Sequence, residues 1–410
     1  MVPRVGGPEA VGQFFKDAMF DAQFLRILGL TFSGGADIGE CLALARRIRD
    51  GDTDAWYEGW TRLAERIHDA GQASFVAGRM ASAREAFFRA AMYFRASYSF
   101  LLQPPLDPRA VRAYERQEET FARAMALMPV PGMALNIPFA DTPLRGLFFA
   151  PDDTGARRRT LVINNGYDGT AEEMFLMSGP AALARGYNVL VFDGPGQGRA
   201  LMKQAIPLRP DWETVIQAVL DALIARPDVD PARLVLMGCS LGGLLAARAA
   251  SYEPRLAALV ADPGQFSILE EARAHMPDAL VRQLPNGNRL VLAVFGRMLA
   301  RKALHPTGGW ALRRGMLVHG CDSPLAYLKD AARYTVQGCV GEIACPTLIC
   351  TTEGDGAGRS ARQVFDRLAC EKRFHVFTAA EGADAHCEAG ARSVFNREAF
   401  DWLDAILERA

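Results

Sequence analysis

The chain has 410 residues, of which half are hydrophobic and 23% are charged, and its formal net charge is −1. This length and composition predict a sizeable core, either in one large α/β domain with an accessory region or in two to three domains. The near-neutral charge argues against nucleic acid or an anionic membrane as a partner. No apolar run reaches the roughly 18 residues of a membrane span and no secretory signal is evident, so we expect a soluble, cytoplasmic protein.

The first part of the chain predicts helices only. Between about Gly12 and Met128, apolar residues recur at three- and four-residue spacing, with turns expected at Gly51, Gly71 and the Pro104-Pro105 pair. We therefore expect residues 1–128 to form an all-helical N-terminal domain. The predicted helices are Glu40–Arg49, Asp54–Ala70, Ala73–Leu102 and Pro108–Leu127.

From Ala134 onwards, short apolar runs alternate with helical patterns. The first two runs predict a hairpin, and the later ones are short and continuous, as buried parallel strands are. This alternation predicts an α/β fold with a doubly wound, mostly parallel sheet, whose core comprises residues 129–263 and 342–410. The predicted strands are 135–139, 144–149, 160–164, 187–192, 233–237, 257–261, 346–351 and 373–377, and the helices between them are 171–185, 212–226, 241–252 and 360–368.

One interval breaks this alternation. Residues 264–341 separate two predicted strands by a stretch that is too long for an ordinary connection in an α/β sheet. We expect this insertion to form a cap or lid over the carboxyl edge of the sheet.

A serine between two glycines carries the strongest chemical signal. Residues 238–242 read Gly-Cys-Ser-Leu-Gly, directly after an apolar strand and directly before a helical stretch. A G-x-S-x-G sequence in this context forms a sharp turn that presents the serine Oγ above the sheet, and the glycines leave room for that turn. Ser240 is therefore the candidate nucleophile.

A serine nucleophile needs a base and an orienting carboxylate, which in this type of fold follow in the order Ser, Asp or Glu, then His. His386, in a loop between the last predicted strand and the final helix, is the candidate base. Asp355, at the carboxyl end of the strand 346–351, is the candidate acid. Glu353 and Asp384 are alternative acids nearby.

The oxyanion of a tetrahedral intermediate needs two backbone N–H donors. One should come from Leu241, the residue after the serine, and the other from the loop after the strand 160–164, where the N–H of Tyr167 is the best-placed donor. Asp168, in the same loop, is a further candidate for substrate binding.

Other patterns in the sequence also have simpler interpretations. Residues 193–198, Asp-Gly-Pro-Gly-Gln-Gly, lack the G-x-G-x-x-G spacing of a nucleotide site and favour a tight turn at the edge of the site. The eight cysteines form no C-x-x-C pair, and Cys387 beside His386 has no further ligand at metal spacing, so we expect reduced thiols and no metal. Tyr167 and Phe266 could stack on substrate or only pack.

By these motifs the chain resembles the α/β hydrolases with an N-terminal helical domain, a group that includes 2,6-dihydroxypseudooxynicotine hydrolase, the fungal heptaketide-shortening hydrolase and the fermentation/respiration switch protein. The likeness covers residues 130 to 410 and extends through the helical region. It rests on 164–169 (Asn-Asn-Gly-Tyr-Asp-Gly), Glu172-Glu173, 185–190 (Arg-Gly-Tyr-Asn-Val-Leu), 193–198, 238–243 and His386-Cys387.

The resemblance implies a triad of Ser240, Asp355 and His386, a helical domain packed over the active site, and frequent homodimerisation. Members of the group hydrolyse carbon–carbon bonds beside a ketone or act as esterases. In some, an acidic residue after the sixth strand assists substrate handling, and either Glu270 or Glu271 stands in that region here.

Three functions are compatible with these residues. The first is serine hydrolysis of a small aryl or polyketide-like ketone or ester, without metal or organic cofactor. The second is acyl transfer to a small alcohol or amine, which uses the same residues. The third is a non-catalytic regulatory binder, as the resemblance to the switch protein suggests.

Overall fold

A computed structural model describes residues 13–272, 278–284 and 287–409. An eight-stranded sheet with the order β1-β2-β4-β3-β5-β6-β7-β8 forms its centre. The strands β1 and β2 form an antiparallel hairpin, β2 also pairs antiparallel with β4, and the remaining neighbours are parallel. The bounds are β1 Met133–Ile137, β2 Leu144–Phe149, β3 Arg158–Asn164, β4 Asn188–Asp193, β5 Val229–Cys239, β6 Leu256–Asp262, β7 Thr347–Thr352 and β8 Lys372–Phe377.

This sheet confirms the predicted doubly wound, mostly parallel fold. The central strands β3 to β6 are buried almost throughout, because helices cover both faces of the sheet. Since β3, β5, β6, β7 and β8 run parallel, their carboxyl ends meet at one edge. The loops that leave this edge carry the candidate site residues.

Between residue 13 and the first strand the structure has five α-helices, in agreement with the helical pattern of the N-terminal sequence. Capping side chains explain where they begin: Asp52 accepts a hydrogen bond from the N–H of Ala55, and Asp107 stands before a proline at the first helical position. Their bounds are α1 Ala18–Leu28, α2 Ile38–Ala45, α3 Thr53–Val76, α4 Met80–Ser97 and α5 Pro108–Ala126.

The turn predicted at Gly71 is wrong, because α3 continues through it to Val76. A Cβ at position 71 would lie 2.9 Å from the ring of Phe87. The glycine therefore serves close packing between α3 and α4. The chain turns instead at Gly78, whose φ of +75° favours glycine.

Aromatic side chains join the helical region to the sheet. Phe88 of α4 and Phe121 of α5 have ring centroids 5.4 Å apart, and Phe121 lies 6.0 Å from Phe175. Phe175 in turn stacks on Phe149 of β2 at 3.8 Å. These residues belong to one continuous apolar cluster, so the helical region and this face of the sheet share a core.

The remaining helices flank the sheet or form the insertion. Within the described residues, the interval 264–341 holds five helices, α10 to α14, so it is helical in the part that can be described. Across those same residues, no helix has both the length and the hydropathy needed to cross a bilayer. The bounds are α6 Ala171–Leu183, α7 Gly198–Met202, α8 Trp212–Ile224, α9 Leu241–Ala250, α10 Ile268–Ala272, α11 Asp278–Gln283, α12 Arg289–Ala303, α13 Trp310–Val318, α14 Pro324–Ala331, α15 Ala361–Arg367 and α16 Arg392–Leu407.

Candidate active site

Ser240 lies at a sharp turn between β5 and α9. Its φ of 59° and ψ of −131° place it in a region that residues with a side chain rarely adopt. A Cβ at Gly238 would lie 2.1 Å from the carbonyl oxygen of Gly242, and one at Gly242 would lie 2.5 Å from that of Asn164. Both positions therefore need glycine. The strained serine is fixed by its N–H, which donates to the carbonyl of Asp262 at 2.6 Å.

The structure brings Ser240, His386 and Asp355 together across three loops. The Oγ of Ser240 lies 2.8 Å from Nε2 of His386, and Nδ1 of His386 lies 2.6 Å from Oδ2 of Asp355. The side chain of Asp355 is 7% exposed whereas that of His386 is 42% exposed. The acid is therefore shielded, and solvent reaches the imidazole.

Asp355, not Glu353, faces the imidazole. The other oxygen of Asp355, Oδ1, accepts from the N–H of Ala357 at 2.8 Å, which fixes the carboxylate. Glu353 accepts instead from the N–H of Ala379 at 2.9 Å. Asp384 contributes its backbone carbonyl, which accepts from Thr352 Oγ1. Of the three sequence candidates, only Asp355 contacts His386 through its side chain within the described hydrogen bonds.

The Asp355 carboxylate also changes the basicity of the imidazole. Burial lowers the pKa of His386, but the charge of Asp355 and its hydrogen bond outweigh that effect and raise the pKa to about 9. The reciprocal interaction lowers the pKa of Asp355 although burial raises it. The pair therefore favours a charged imidazolium beside an ionised carboxylate.

The loop after β3 lies directly against the serine. A Cβ at Gly166 would lie 2.8 Å from the Cβ of Ser240, so the backbone of Gly166 and Tyr167 passes next to Ser240. Nε2 of Gln197 donates to the carbonyls of Asn165 at 2.6 Å and Gly166 at 3.1 Å. This amide fixes the loop that carries the predicted Tyr167 donor.

A buried arginine, Arg392, and its two carboxylate partners support the candidate site. Nη1 of Arg392 donates to Oδ2 of Asp262 at 2.6 Å and to Oε2 of Glu388 at 2.9 Å. Because Asp262 holds the N–H of Ser240 and Glu388 follows His386 closely in the chain, Arg392 ties the histidine loop to the serine turn.

Cys239, Asp262 and Cys387 meet beside this arginine. Their potential ligand atoms all lie within 4.8 Å of one another, and all three residues are buried. Sequence spacing does not reveal this group, because its members lie at the end of β5, at the end of β6 and before α16. A cation there would stand beside the Arg392 guanidinium, which already binds Asp262 and opposes further positive charge. The donor set therefore fits a metal poorly. The Cys387 thiol instead lies 3.6 Å from the carbonyl oxygen of Asp262 and 3.6 Å from Nε2 of His386.

The structure distinguishes the two adjacent glutamates. Glu271 accepts hydrogen bonds from both Oγ and N–H of Ser360, while its Oε2 is buried without a hydrogen-bond partner among the described residues. Burial, with a smaller contribution from the charge of Asp355, raises the pKa of Glu271 to about 7 against the Ser360 hydrogen bonds. Glu271 is thus a protonatable carboxyl near Asp355.

Asp168 lies in a group of buried charges. Its carboxylate accepts from Nη1 of Arg26 at 3.0 Å and lies 3.5 Å from guanidinium nitrogens of Arg95 and Arg314. Although burial raises the pKa of Asp168, these arginines hold it well below its usual range. We name Arg26, Arg95, Asp168, Glu173 and Arg314 the junction cluster, because they join the helical region, the core and the insertion.

The two predicted aromatic contacts are placed differently. Phe266 is 6% exposed in the core, with the guanidinium of Arg367 4.8 Å from its ring centroid, which is a packing position. Tyr167 is half-buried, and its hydroxyl lies 2.9 Å from Nε2 of His319 in the insertion. Because Nδ1 of His319 is 2.7 Å from Oδ2 of Asp330, the ring of Tyr167 is anchored to the insertion.

Sequence reasoning missed Gln197, Arg314 and Arg392. Gln197 lies in the Gly-rich segment 193–198, whose pattern predicts only a tight turn, although its position beside the site could have indicated a supporting role. Arg314 contacts Asp168, which is far away in the sequence. Arg392 has one near partner, Glu388, but its contact with Asp262 joins residues far apart in the sequence and carries no local signal.

Known proteins share this architecture. A model of the alpha/beta hydrolase family matches residues 165–394. Hydrolase acrC of Aspergillus aculeatus is 32% identical, with 97% of this chain and 98% of that protein covered. The 20-hydroxy-prefusarin hydrolase FUS2 of Gibberella moniliformis is also 32% identical, with 95% and 97% covered.

A solved structure supports the same fold over nearly the whole chain. The crystal structure of 2,6-dihydroxy-pseudo-oxynicotine hydrolase is similar with a TM-score of 0.73 at 23% identity, covering 92% of this chain and 95% of that one. The likeness therefore includes the helical region. With a family model over more than half of its length and full-length relatives above 30% identity, the chain belongs to the α/β-hydrolase family.

Proposed function

We propose that the protein is a serine hydrolase that forms an acyl-enzyme on Ser240 from a small aryl or polyketide-like ketone or ester. The observation that carries this proposal is the continuous contact from Ser240 Oγ to His386 Nε2 at 2.8 Å and from His386 Nδ1 to Asp355 Oδ2 at 2.6 Å. These are the distances at which a proton passes from a hydroxyl to an imidazole held by a carboxylate.

In the first half of the reaction, neutral His386 takes the proton of Ser240 as Oγ attacks the substrate carbonyl. The N–H groups of Leu241 and Tyr167 stabilise the oxyanion. Asp355 fixes the imidazole tautomer and stabilises its charged form. When the bond to the leaving group breaks, its electron pair goes to the leaving atom, and the His386 imidazolium protonates that atom. Water, deprotonated by His386, then releases the acid.

Cleavage of a carbon–carbon bond is our finer proposal for the chemistry. A leaving carbon must be stabilised by a second carbonyl or a phenolic ring, since an unstabilised carbanion is expelled far less readily than an alkoxide. The buried carboxyl of Glu271, with its pKa raised to about 7, favours this reaction, because a protonated acid near the triad can donate a hydrogen bond to the second carbonyl.

A fluorophosphonate probe tests the nucleophile. Incubation followed by peptide mass spectrometry should find the label on Ser240, and Ser240→Ala should remain unlabelled. Ser251, whose Oγ donates to a helix carbonyl, is a matched serine that should not be labelled in either protein. An unlabelled wild-type protein that keeps its fold would contradict the proposal and favour a regulatory binder.

An aryl 1,3-diketone in H₂¹⁸O tests which bond is cut. Carbon–carbon hydrolysis gives a carboxylic acid with one oxygen from water and a shortened ketone or arene. In that case Glu271→Gln should slow the diketone more than an aryl ester, whereas Glu270→Gln should affect both equally. Turnover of aryl esters without cleavage of any diketone would identify an esterase, and transfer of the acyl group to added alcohol would identify an acyltransferase.

A further inference from the structure

The junction cluster contains more positive than negative charge. It brings together the three guanidinium groups of Arg26, Arg95 and Arg314 and the two carboxylates of Asp168 and Glu173. Both carboxyl groups are ionised in this setting, because the neighbouring arginines lower the pKa of each against the opposing effect of burial. One positive charge in the cluster is therefore left without a matching carboxylate.

The excess charge is located at Arg314. Glu173 binds Arg26 at 2.6 Å and Arg95 at 3.0 Å, and Asp168 binds Arg26 at 3.0 Å. Arg314 reaches Asp168 only at 3.5 Å, and its Nε is buried without a hydrogen-bond partner among the described residues. A guanidinium has five N–H donors, so most of the binding capacity of Arg314 is unused by these carboxylates.

The aromatic rings of Tyr167 and Trp310, each fixed by a polar contact of its own, hold the guanidinium of Arg314 in place. Its Cζ lies 4.6 Å from the ring centroid of Tyr167 and 4.3 Å from that of Trp310. The indole N–H of Trp310 donates to the carbonyl of Ser99 at 2.7 Å, and the hydroxyl of Tyr167 contacts His319. Rings that contact the face of a planar cation leave the N–H groups along its edge able to donate to a planar partner.

The position of Arg314 connects it to the candidate active site. Tyr167, whose ring it stacks against, follows Gly166, and Gly166 lies against Ser240. The side chain of Arg314 is 15% exposed and its Nε is buried, so most of the side chain is shielded from water. Shielding strengthens the attraction between this cation and an anion brought to it.

We propose that Arg314 binds a planar oxyanion of the substrate, either a carboxylate or the enolate of an ionised 1,3-dicarbonyl group. This inference rests on the proposed function, because it assigns the substrate class of the same site. Two parallel N–H···O bonds to such a group use the edge of the guanidinium that the rings leave open. A bound oxyanion would also balance the excess positive charge of the junction cluster. Holding the oxyanion at Arg314 would orient the reacting carbonyl of the substrate towards Ser240.

Calorimetric titration of the purified protein tests the inference without any need for turnover. Benzoate and the enolate of 1,3-cyclohexanedione represent the two sources of a planar oxyanion, and benzamide is the neutral counterpart of benzoate. At least one anion should bind about tenfold more tightly than benzamide, as a charge-assisted pair predicts. Whichever anion binds more tightly identifies the source.

Matched variants assign that preference to Arg314. Arg314→Gln should weaken binding of the preferred anion about tenfold and leave benzamide unchanged, while Arg314→Lys should recover part of the loss. Arg297→Gln, at an exposed position on α12, should change nothing. If Arg314→Gln does not fold, the wild-type preference and Arg314→Lys still decide the question. Equal binding of all three compounds to the wild type, or an anion preference that survives in Arg314→Gln, would overturn the inference.

Protection of Ser240 links this site to the nucleophile. The preferred anion should slow fluorophosphonate labelling of the wild type about tenfold at saturation, and Arg314→Gln should be labelled at an unchanged rate with or without it. Labelling of Ser240 without anion preference contradicts the Arg314 assignment and leaves the hydrolase proposal intact. Anion binding without labelling contradicts the hydrolase proposal instead.

Discussion

The sheet edge and the junction cluster are two polar regions that meet at the loop after β3, and they are built in opposite ways. At the sheet edge, three loops of one sheet present Ser240, His386 and Asp355 at distances of 2.8 and 2.6 Å. In the junction cluster, charged side chains from the helical region, the core and the insertion converge on Asp168 and Glu173. The comparison shows that strand order assembles the contacts of Ser240, His386 and Asp355, whereas the junction cluster depends on how separate regions of the chain pack together.

Ser240→Ala should have the largest effect, because it changes the sheet edge and leaves the junction cluster intact. Removing the hydroxyl should lower turnover by on the order of 10⁶, since the remaining site offers only binding and oxyanion donors. Because the Oγ contacts His386 and is not a core group, the urea midpoint should stay unchanged. Steady-state kinetics measures the loss of turnover, and urea denaturation measures the midpoint. Activity above a tenth of wild type would show that another group is the nucleophile.

Arg95→Ala should mainly lower the free energy of unfolding. Its guanidinium is fully buried and contacts Glu173 and the carbonyl of Asp168. Removing it leaves a buried carboxylate with one partner fewer, at a cost of about 3–5 kcal/mol in unfolding free energy. Arg62→Ala breaks an exposed pair with Glu58 and should cost less than about 1 kcal/mol. Similar urea midpoints for the two variants would contradict a structural role for the junction cluster.

The pH dependence of kcat/KM should report His386. The base must be neutral to accept the serine proton, and its pKa is raised to about 9, so kcat/KM should increase about tenfold per pH unit up to that value. Asp355→Asn removes the attraction that raises this pKa, so the midpoint should move to lower pH while the maximum falls. A rate that is flat from pH 6 to 9 would contradict this electrostatic coupling.

Gln197→Leu should lower activity by a smaller amount. Gln197 supports the loop after β3, where the sheet edge and the junction cluster meet. Without the donor to the carbonyls of Asn165 and Gly166, the Tyr167 N–H is held less firmly, and kcat should fall about tenfold with little change in KM. Gln204→Leu, which removes an exposed donor to Pro143, is the control and should be neutral. A change confined to KM would place Gln197 in substrate binding.

Local motifs sufficed for the sheet edge because each one encodes its own geometry. Glycines around Ser240 specify the turn, and the order of strands brings His386 and Asp355 to the same edge, so all three could be proposed from sequence. The sequence favours Asp355 as the acid but leaves Glu353 as an alternative, because both residues leave the same strand end. The structure distinguishes them, since Asp355 contacts Nδ1 of His386 whereas Glu353 accepts from the N–H of Ala379.

The junction cluster could not be predicted in the same way. The sequence predicts Asp168 as a substrate contact, whereas in the structure three arginines from α1, α4 and α13 contact it, and none of them has a sequence signal. Likewise, the sequence predicts a turn at Gly71, because nothing in it shows that a ring from α4 packs there. Contacts between distant elements determine these positions, and one sequence does not contain them explicitly.

A comparison of Asp355→Asn with Glu353→Gln tests the central claim most directly, because the two acids stand two residues apart and only one faces the imidazole. The arrangement predicts that Asp355→Asn lowers kcat by on the order of 10³ to 10⁴ through the wrong imidazole tautomer, and that Glu353→Gln changes kcat less than about threefold. A larger loss in Glu353→Gln than in Asp355→Asn would contradict the proposed triad.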